Sequence, residues 1–241
     1  MENNWTTVLD AGNTALKIGQ FQDNKLISVK VLSNDEVDAT LVQSHIKGIP
    51  IYSASGKWDN ELLELTAQLK GKIASIDLQL PLELYYTTPE TLGLDRISNV
   101  CGARSVVKHG AILVVDIGTC ITYDILTSEN HYLGGSISPG VGIRFKGMNN
   151  LTARLPLIDL AQKPQLIGDS TKLSLQSGVF WGVLSEIEGM IARYSEEVGQ
   201  LSVLLTGGDY QYFENALKSL TFASPNLTLL GLNEILLHNI K

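Results

Sequence analysis

The sequence predicts an α/β fold in which a strand–turn–strand unit occurs twice, and three observations carry that reading. Stretches of alternating or continuous apolar residues, arranged as meanders, take turns with stretches of helical period, the pattern of layered sheets and helices. VLDAGNT (Val8 to Thr14) aligns with VVDIGTC (Val114 to Cys120), with Val, Asp and Gly coinciding, and each copy follows an apolar strand and precedes an alternating one. The 241 residues, 44% hydrophobic and 18% charged, suffice for a real core without disulfides or metals. A net charge of −7 and the lack of any Lys/Arg-rich run exclude a dedicated nucleic-acid or anionic-membrane surface. Any anion must then be held by local backbone N–H groups and a few placed cations.

The elements follow in order. TTVLDAG, ALKIGQF and LISVKVL read as an antiparallel meander joined by GN and QDN turns. Residues 35–48 read as a helix, IPIYSAS as a short strand, and 58–70 as a helix behind an Asp/Asn start. An acid opens a further helix over 95–109. AILVVDIGTCITYDIL then repeats the opening pattern, and LGGSISPG adds a strand. Helices are expected at 140–153, 171–197 and 210–219, with LSVLLTGGD as a buried strand between the last two. In the 171–197 helix, Leu173, Val179, Phe180, Val183 and Ile187 have spacings that suit a buried face. The division expected is 1–110 and 111–241, with no long linker between them.

Cys101 and Cys120 lack metal-ligand spacing and form no disulfide framework, so reduced, buried thiols are expected. None of the four histidines forms a zinc motif. The amino terminus has no signal-peptide pattern, and the most apolar window carries Asp116 at its centre. A cytoplasmic protein, away from membranes, is the expectation. Trp5, Trp58 and Trp181 read as packing residues.

The chemistry concentrates in the repeated turns. Glycine lets such a turn bring bare backbone close to a ligand, and its successive N–H groups can hold phosphate oxygens. Asp10 and Asp116, at strand ends, present carboxylates able to hold a hydrated cation. The bland alternative for each is an Asx residue that starts a turn. LLTGGD (Leu204 to Asp209), a buried strand ending in two glycines, could admit a flat ring against backbone.

Together these segments resemble the superfamily of acetate kinases, sugar kinases, heat-shock ATPases and actin. DAGNTALKIG, YYTTPETLGLDR, DIGTCITYD, GGSISPG, GDSTKLSLQSG and TGGD resemble in particular the motifs of type III pantothenate kinases, across essentially the whole chain. The resemblance implies duplicated ribonuclease-H-like (actin-like ATPase) domains, each a mixed sheet with flanking helices. It implies phosphorylation of pantothenate by ATP, with Mg²⁺ and a monovalent cation, K⁺ or NH₄⁺. Asp10, Ala11, Gly12, Asn13, Thr14, Ala15, Leu16 and Lys17 would form the first ATP loop, with Asp10 associated with Mg²⁺. Thr119 would bind ATP and Asp116 the monovalent cation. Tyr86, Gly93, Leu94, Asp95 and Arg96 would line the pantothenate site, with Asp95 as general base. Thr171 would reach the substrate from a second subunit, which implies a homodimer. Cys120 stands where the family usually has Ala or Ser.

The chemistry of Asp95 and Arg96 agrees with those roles. Pantothenate has a carboxylate, which suits a guanidinium, and a primary hydroxyl, whose proton a nearby carboxylate can take. The competing reading is a helix-capping Asp beside a surface Arg. Three rivals share the nucleotide turns: another kinase or phosphatase of the superfamily, a regulatory protein that kept the fold, and a filament former.

Overall fold

The computed structural model describes residues 4–12, 15–54, 59–160, 162–219 and 221–240. Trp58, Asn13 and Thr14 lie outside them. The chain divides into two compact units, residues 1–108 with 226–241, and residues 109–225.

In the first unit, β1 (Trp5–Ala11), β2 (Ala15–Gln22) and β3 (Lys25–Ser33) form an antiparallel meander. Asp23 and Asn24, at φ 48° and 62°, supply the left-handed pair that a tight two-residue hairpin requires. Helix α1 (Ala39–His45) starts at Asp38, whose side chain accepts from the Leu41 N–H at 3.0 Å. It leads to β4 (Ile49–Ala54), which pairs in parallel with β1. Helix α2 (Asn60–Gln68) is capped by Asp59, which accepts from the N–H groups of Glu61 and Leu62. After it, β5 (Lys72–Ile73) completes the sheet order β3-β2-β1-β4-β5. A short strand, β6 (Glu83–Leu84), and a 3₁₀ turn (Pro89–Thr91) precede helix α3 (Leu94–Val106). On one side of the sheet Leu9, Leu16, Ile18, Val42, Tyr52 and Leu62 form a core.

The second unit repeats this plan. β7 (Ala111–Ile117), β8 (Cys120–Leu126) and β9 (His131–Pro139) form the meander. Helices α4 (Val141–Leu151) and α5 (Thr171–Val198) follow. Next, β10 (Leu201–Thr206) pairs in parallel with β7, and β11 (Thr221–Ala223) with β10, so the strands of this unit run in the order β11-β10-β7-β8-β9 within a six-stranded sheet. The continuous apolar runs of β7 and β10 mark them as strands covered on both faces. Val179, Phe180, Val183 and Ile187 of α5 pack on Leu113, Val115, Ile121 and Tyr123.

Three expectations need correction. Leu173, expected on the buried face of α5, is 42% exposed, because it sits in the first turn before the helix reaches the sheet. The helix expected over 210–219 is a 3₁₀ turn, Tyr210–Tyr212, followed by irregular turns. Its start has no side-chain cap, and the Asp209 N–H is committed to the Ile117 carbonyl at 2.9 Å. The division at 110/111 also leaves out a return of the chain: helix α6 (Leu227–Asn239) belongs to the first unit. There Gly231 lies against the Ser98 carbonyl of α3, and Gly102 of α3 against the Leu227 carbonyl, with no room for a Cβ on either glycine. Thr6 of β1 donates to Asn233 of α6 at 2.5 Å, both buried. Cys101 is a buried free thiol, and Cys120 is free and half-buried.

Candidate active site

Each unit carries its polar groups at the carboxyl end of its central strand, where open α/β sheets take ligands. In the first unit β1 brings Asp10 opposite Lys17 of β2 and beside Ser53 of β4. The Gly12 N–H donates to the Ala15 carbonyl at 2.9 Å; Asn13 and Thr14 lie outside the described residues. Ala11 and Ala15 are half-buried, Leu16 is in the core and Lys17 is exposed. Burial pushes the Asp10 carboxyl up to about 6; the Lys17 cation opposes the rise, and the Asp95 charge adds to it. The structure therefore brings Asp10, Lys17 and Asp95 into one electrostatic neighbourhood.

Asp95 reaches that neighbourhood from the first turn of α3. The N-cap is Gly93, which has no side chain to cap with, and the exposed Asp95 carboxylate accepts from the Arg96 N–H at 2.8 Å. An acid in a helix's first turn is favoured by the helix dipole. Arg96 is not a surface residue: it is 6% exposed. Leu94 is half-buried, as is Tyr86, which lies between β6 and the 3₁₀ turn.

In the second unit β7 ends at Asp116 and Ile117. The Gly118 N–H donates to the Cys120 carbonyl at 2.9 Å, leaving Thr119 exposed at the tip. Gly140, the N-cap of α4, donates its N–H to the Thr119 carbonyl at 3.1 Å. Thr206 of β10 sits beside Asp116, and the chain then turns at Gly207 with φ +97°. A Cβ there would strike the Ile117 carbonyl and the Asp116 carboxylate, so only glycine lets the TGGD turn lie against β7. Asp116, Thr119, Gly140, Gly207 and Asp209 thus converge on the end of one strand. Burial raises the Asp209 carboxyl above its ordinary range. The sequence marks Asp209 only as an acid placed directly after the glycine turn of LLTGGD. The last acid of DIGTCITYD is different: Asp124 is fully buried and accepts from the Tyr132 hydroxyl at 2.7 Å and the Thr122 hydroxyl at 3.0 Å.

Thr171 opens α5 and is exposed in a groove of about 1230 Å³ whose walls include Pro139, Ile143, Arg144, Met148 and Leu155. Among the described residues no group of three or more His, Cys, Asp or Glu could hold a metal, and no helix is long and apolar enough to cross a membrane.

Two mixed sheets of matching strand order, each with a glycine turn at the end of its first strand, define a duplicated actin-like ATPase fold. Solved structures agree on the fold. The chain resembles a conserved protein described as a Baf family transcriptional activator from Campylobacter jejuni, with a TM-score of 0.63 and 22% identity over 97% of this chain and 98% of that one. It also resembles a ROK hexokinase from Thermus thermophilus, with a TM-score of 0.56 and 11% identity over 98% of this chain and 100% of that one. The family is narrower than the fold. Residues 7–193 match the model of the type III pantothenate kinase family. Type III pantothenate kinases of Christiangramia forsetii and Cytophaga hutchinsonii are each 38% identical to the chain, covering 96% and 97% of it and 98% and 99% of their own lengths. The chain belongs to the type III pantothenate kinase family.

Proposed function

We propose that the protein transfers the terminal phosphoryl group of ATP to the primary hydroxyl of pantothenate, giving 4′-phosphopantothenate, the first step toward coenzyme A. The observation that carries this reading is family membership over nearly the whole chain, in a molecule that keeps the acid of its LGLDR segment beside the acid of its first turn. Asp95 takes the proton of the attacking hydroxyl. Phosphoryl transfer depends on positioning and charge neutralisation, so an ionised carboxylate aimed in line is sufficient. Arg96, with Tyr86, Gly93 and Leu94, receives pantothenate; a buried guanidinium pairs strongly with a carboxylate because little water competes. The Asp10–Lys17 turn and Thr119 hold the ATP phosphates.

Asp10 suits a Mg²⁺ ion. Its carboxyl is raised to about 6 with the charge of Asp95 among the causes, and a cation would offset both carboxylates. Mg²⁺ takes one or two carboxylates and fills its shell with phosphate oxygens and water, which needs no cage of protein ligands. When bound it neutralises charge on the transferring phosphates. Asp116, half-buried at a strand end among backbone oxygens, suits K⁺ or NH₄⁺. A homodimer in which Thr171 serves the partner's substrate is part of the reading, as is a cytoplasmic location. Its support is the apolar groove beside Thr171 and the exposure of Leu151 and Ile167, 87% and 83%.

The test is ATP-dependent formation of phosphopantothenate, with Asp95→Asn as the critical variant. The variant is expected to lose about 10²–10⁴-fold in kcat with its KM for ATP little changed. Full turnover by Asp95→Asn would remove that residue from the role of base.

A further inference from the structure

Glu186, in the middle of α5, accepts three side-chain hydrogen bonds from three different elements. They come from the Tyr123 hydroxyl of β8 at 3.0 Å, the Ser138 hydroxyl of β9, and the Arg144 guanidinium of α4. Arg144 uses its Nε to donate to the Pro139 carbonyl at 2.8 Å. Pro139 leads directly into Gly140, whose N–H holds the Thr119 carbonyl. Gly140 packs so closely on the Gly118 and Thr119 carbonyls that a Cβ would strike both. Four elements are therefore tied through one carboxylate to the tip of the second turn. Both side chains of the ion pair are about three-quarters buried. A fork of guanidinium donors that spans a carboxylate and a carbonyl fixes direction as well as distance, which a lysine cannot do.

We infer that Glu186 and Arg144 are positioning residues for the second phosphate turn: they clamp Pro139 and Gly140 against Thr119 and so set where the backbone of that turn meets a nucleotide. The inference rests on the proposed reading of that turn as a phosphate loop. Arg144 and Pro139 also line the groove that contains Thr171, so the clamp stands between that groove and the turn. The hydrogen bonds keep the carboxylate ionised. Burial opposes ionisation, but the bonds from Ser138 and Arg144, the guanidinium charge and the Tyr123 bond outweigh it and hold the Glu186 pKa below its ordinary value.

Glu186→Gln keeps the shape and removes the charge. Its Kd for a non-hydrolysable ATP analogue and its KM for ATP are expected to rise about tenfold, with KM for pantothenate and the melting temperature close to those of the parent. Arg144→Lys, which replaces the planar fork between Pro139 and Glu186 with one ammonium on a flexible stem, is expected to shift the same way. Glu196→Gln, exposed on the same helix, should change neither constant. Unchanged nucleotide affinity in Glu186→Gln overturns the inference. So does a rise matched by pantothenate and accompanied by lost stability, because that marks a plain structural staple. Should Glu186→Gln fail to fold, Tyr123→Phe and Ser138→Ala each remove one hydrogen bond, and unchanged affinity in both overturns the inference equally. The binding measurement needs no acceptor. A parent protein that binds the analogue yet does not phosphorylate pantothenate therefore defeats the proposed function and leaves the clamp to be judged by its variants.

Discussion

Asp10 shows what burial at a strand end demands of one side chain. Its carboxyl is pushed up to about 6 by burial, against Lys17 and with Asp95, so the folded protein holds a proton there more tightly than the unfolded chain does. The desolvation cost is absent below about pH 4, grows as pH rises toward 6, and is complete above it. Asp10→Asn should therefore stabilise the ligand-free protein by about 1–3 kcal/mol at pH 7.5 and by much less at pH 4.5, while turnover collapses. Thermal melts at the two pH values check this, and equal shifts at both would refute it. At this scale the strand ends were legible, because Asp10 and Asp116 stand in a repeated D-x-G pattern. The setting of Arg96 was not: a short polar stretch beside an acid reads as a helix start on the surface, and only tertiary packing buries the guanidinium.

Helices α3 and α6 cross with glycine on both sides, so backbone meets backbone where side chains normally intervene. Gly102→Ala adds helix propensity worth about 1 kcal/mol, yet its methyl group has nowhere to go against the Leu227 carbonyl. The expected net effect is destabilisation by about 1–3 kcal/mol, read from urea unfolding, with reduced turnover because α3 also carries Asp95, the proposed base. A variant more stable than the parent would disprove the crowding argument. Elements with strong period and a capped start, such as α2 and α5, were visible in the sequence, since caps and apolar spacing are local signals. Residues 210–219 have apolar spacing without a cap, and there the TGGD turn, held to Ile117, decided the outcome. The parallel partners β4 and β10 were read as strands, but which neighbour each joins is a long-range fact that no local pattern encodes.

At the scale of the whole chain the two units share one strand order but not one continuity: the first is assembled from both ends of the sequence. A chain stopped at Ser224 lacks the buried Leu227, Leu229, Leu232, Ile235 and Leu236, a loss of roughly 1.5–3 kcal/mol for each side chain, against a total stability of only about 5–15 kcal/mol. The truncated protein should keep slow amide exchange in β7, β8 and β10 and lose it in β1 and α3. Protection retained in β1 would show that α6 is dispensable. The order of synthesis gives this arrangement a further consequence. Strands β1 to β4 must wait at the ribosome for helix α6, which is made well after them, so the first unit of the nascent polypeptide stays open while the second can already close. A premature stop codon ahead of α6 would be felt far upstream, in β1 to β4, where unfinished strands become substrates for chaperones and proteases.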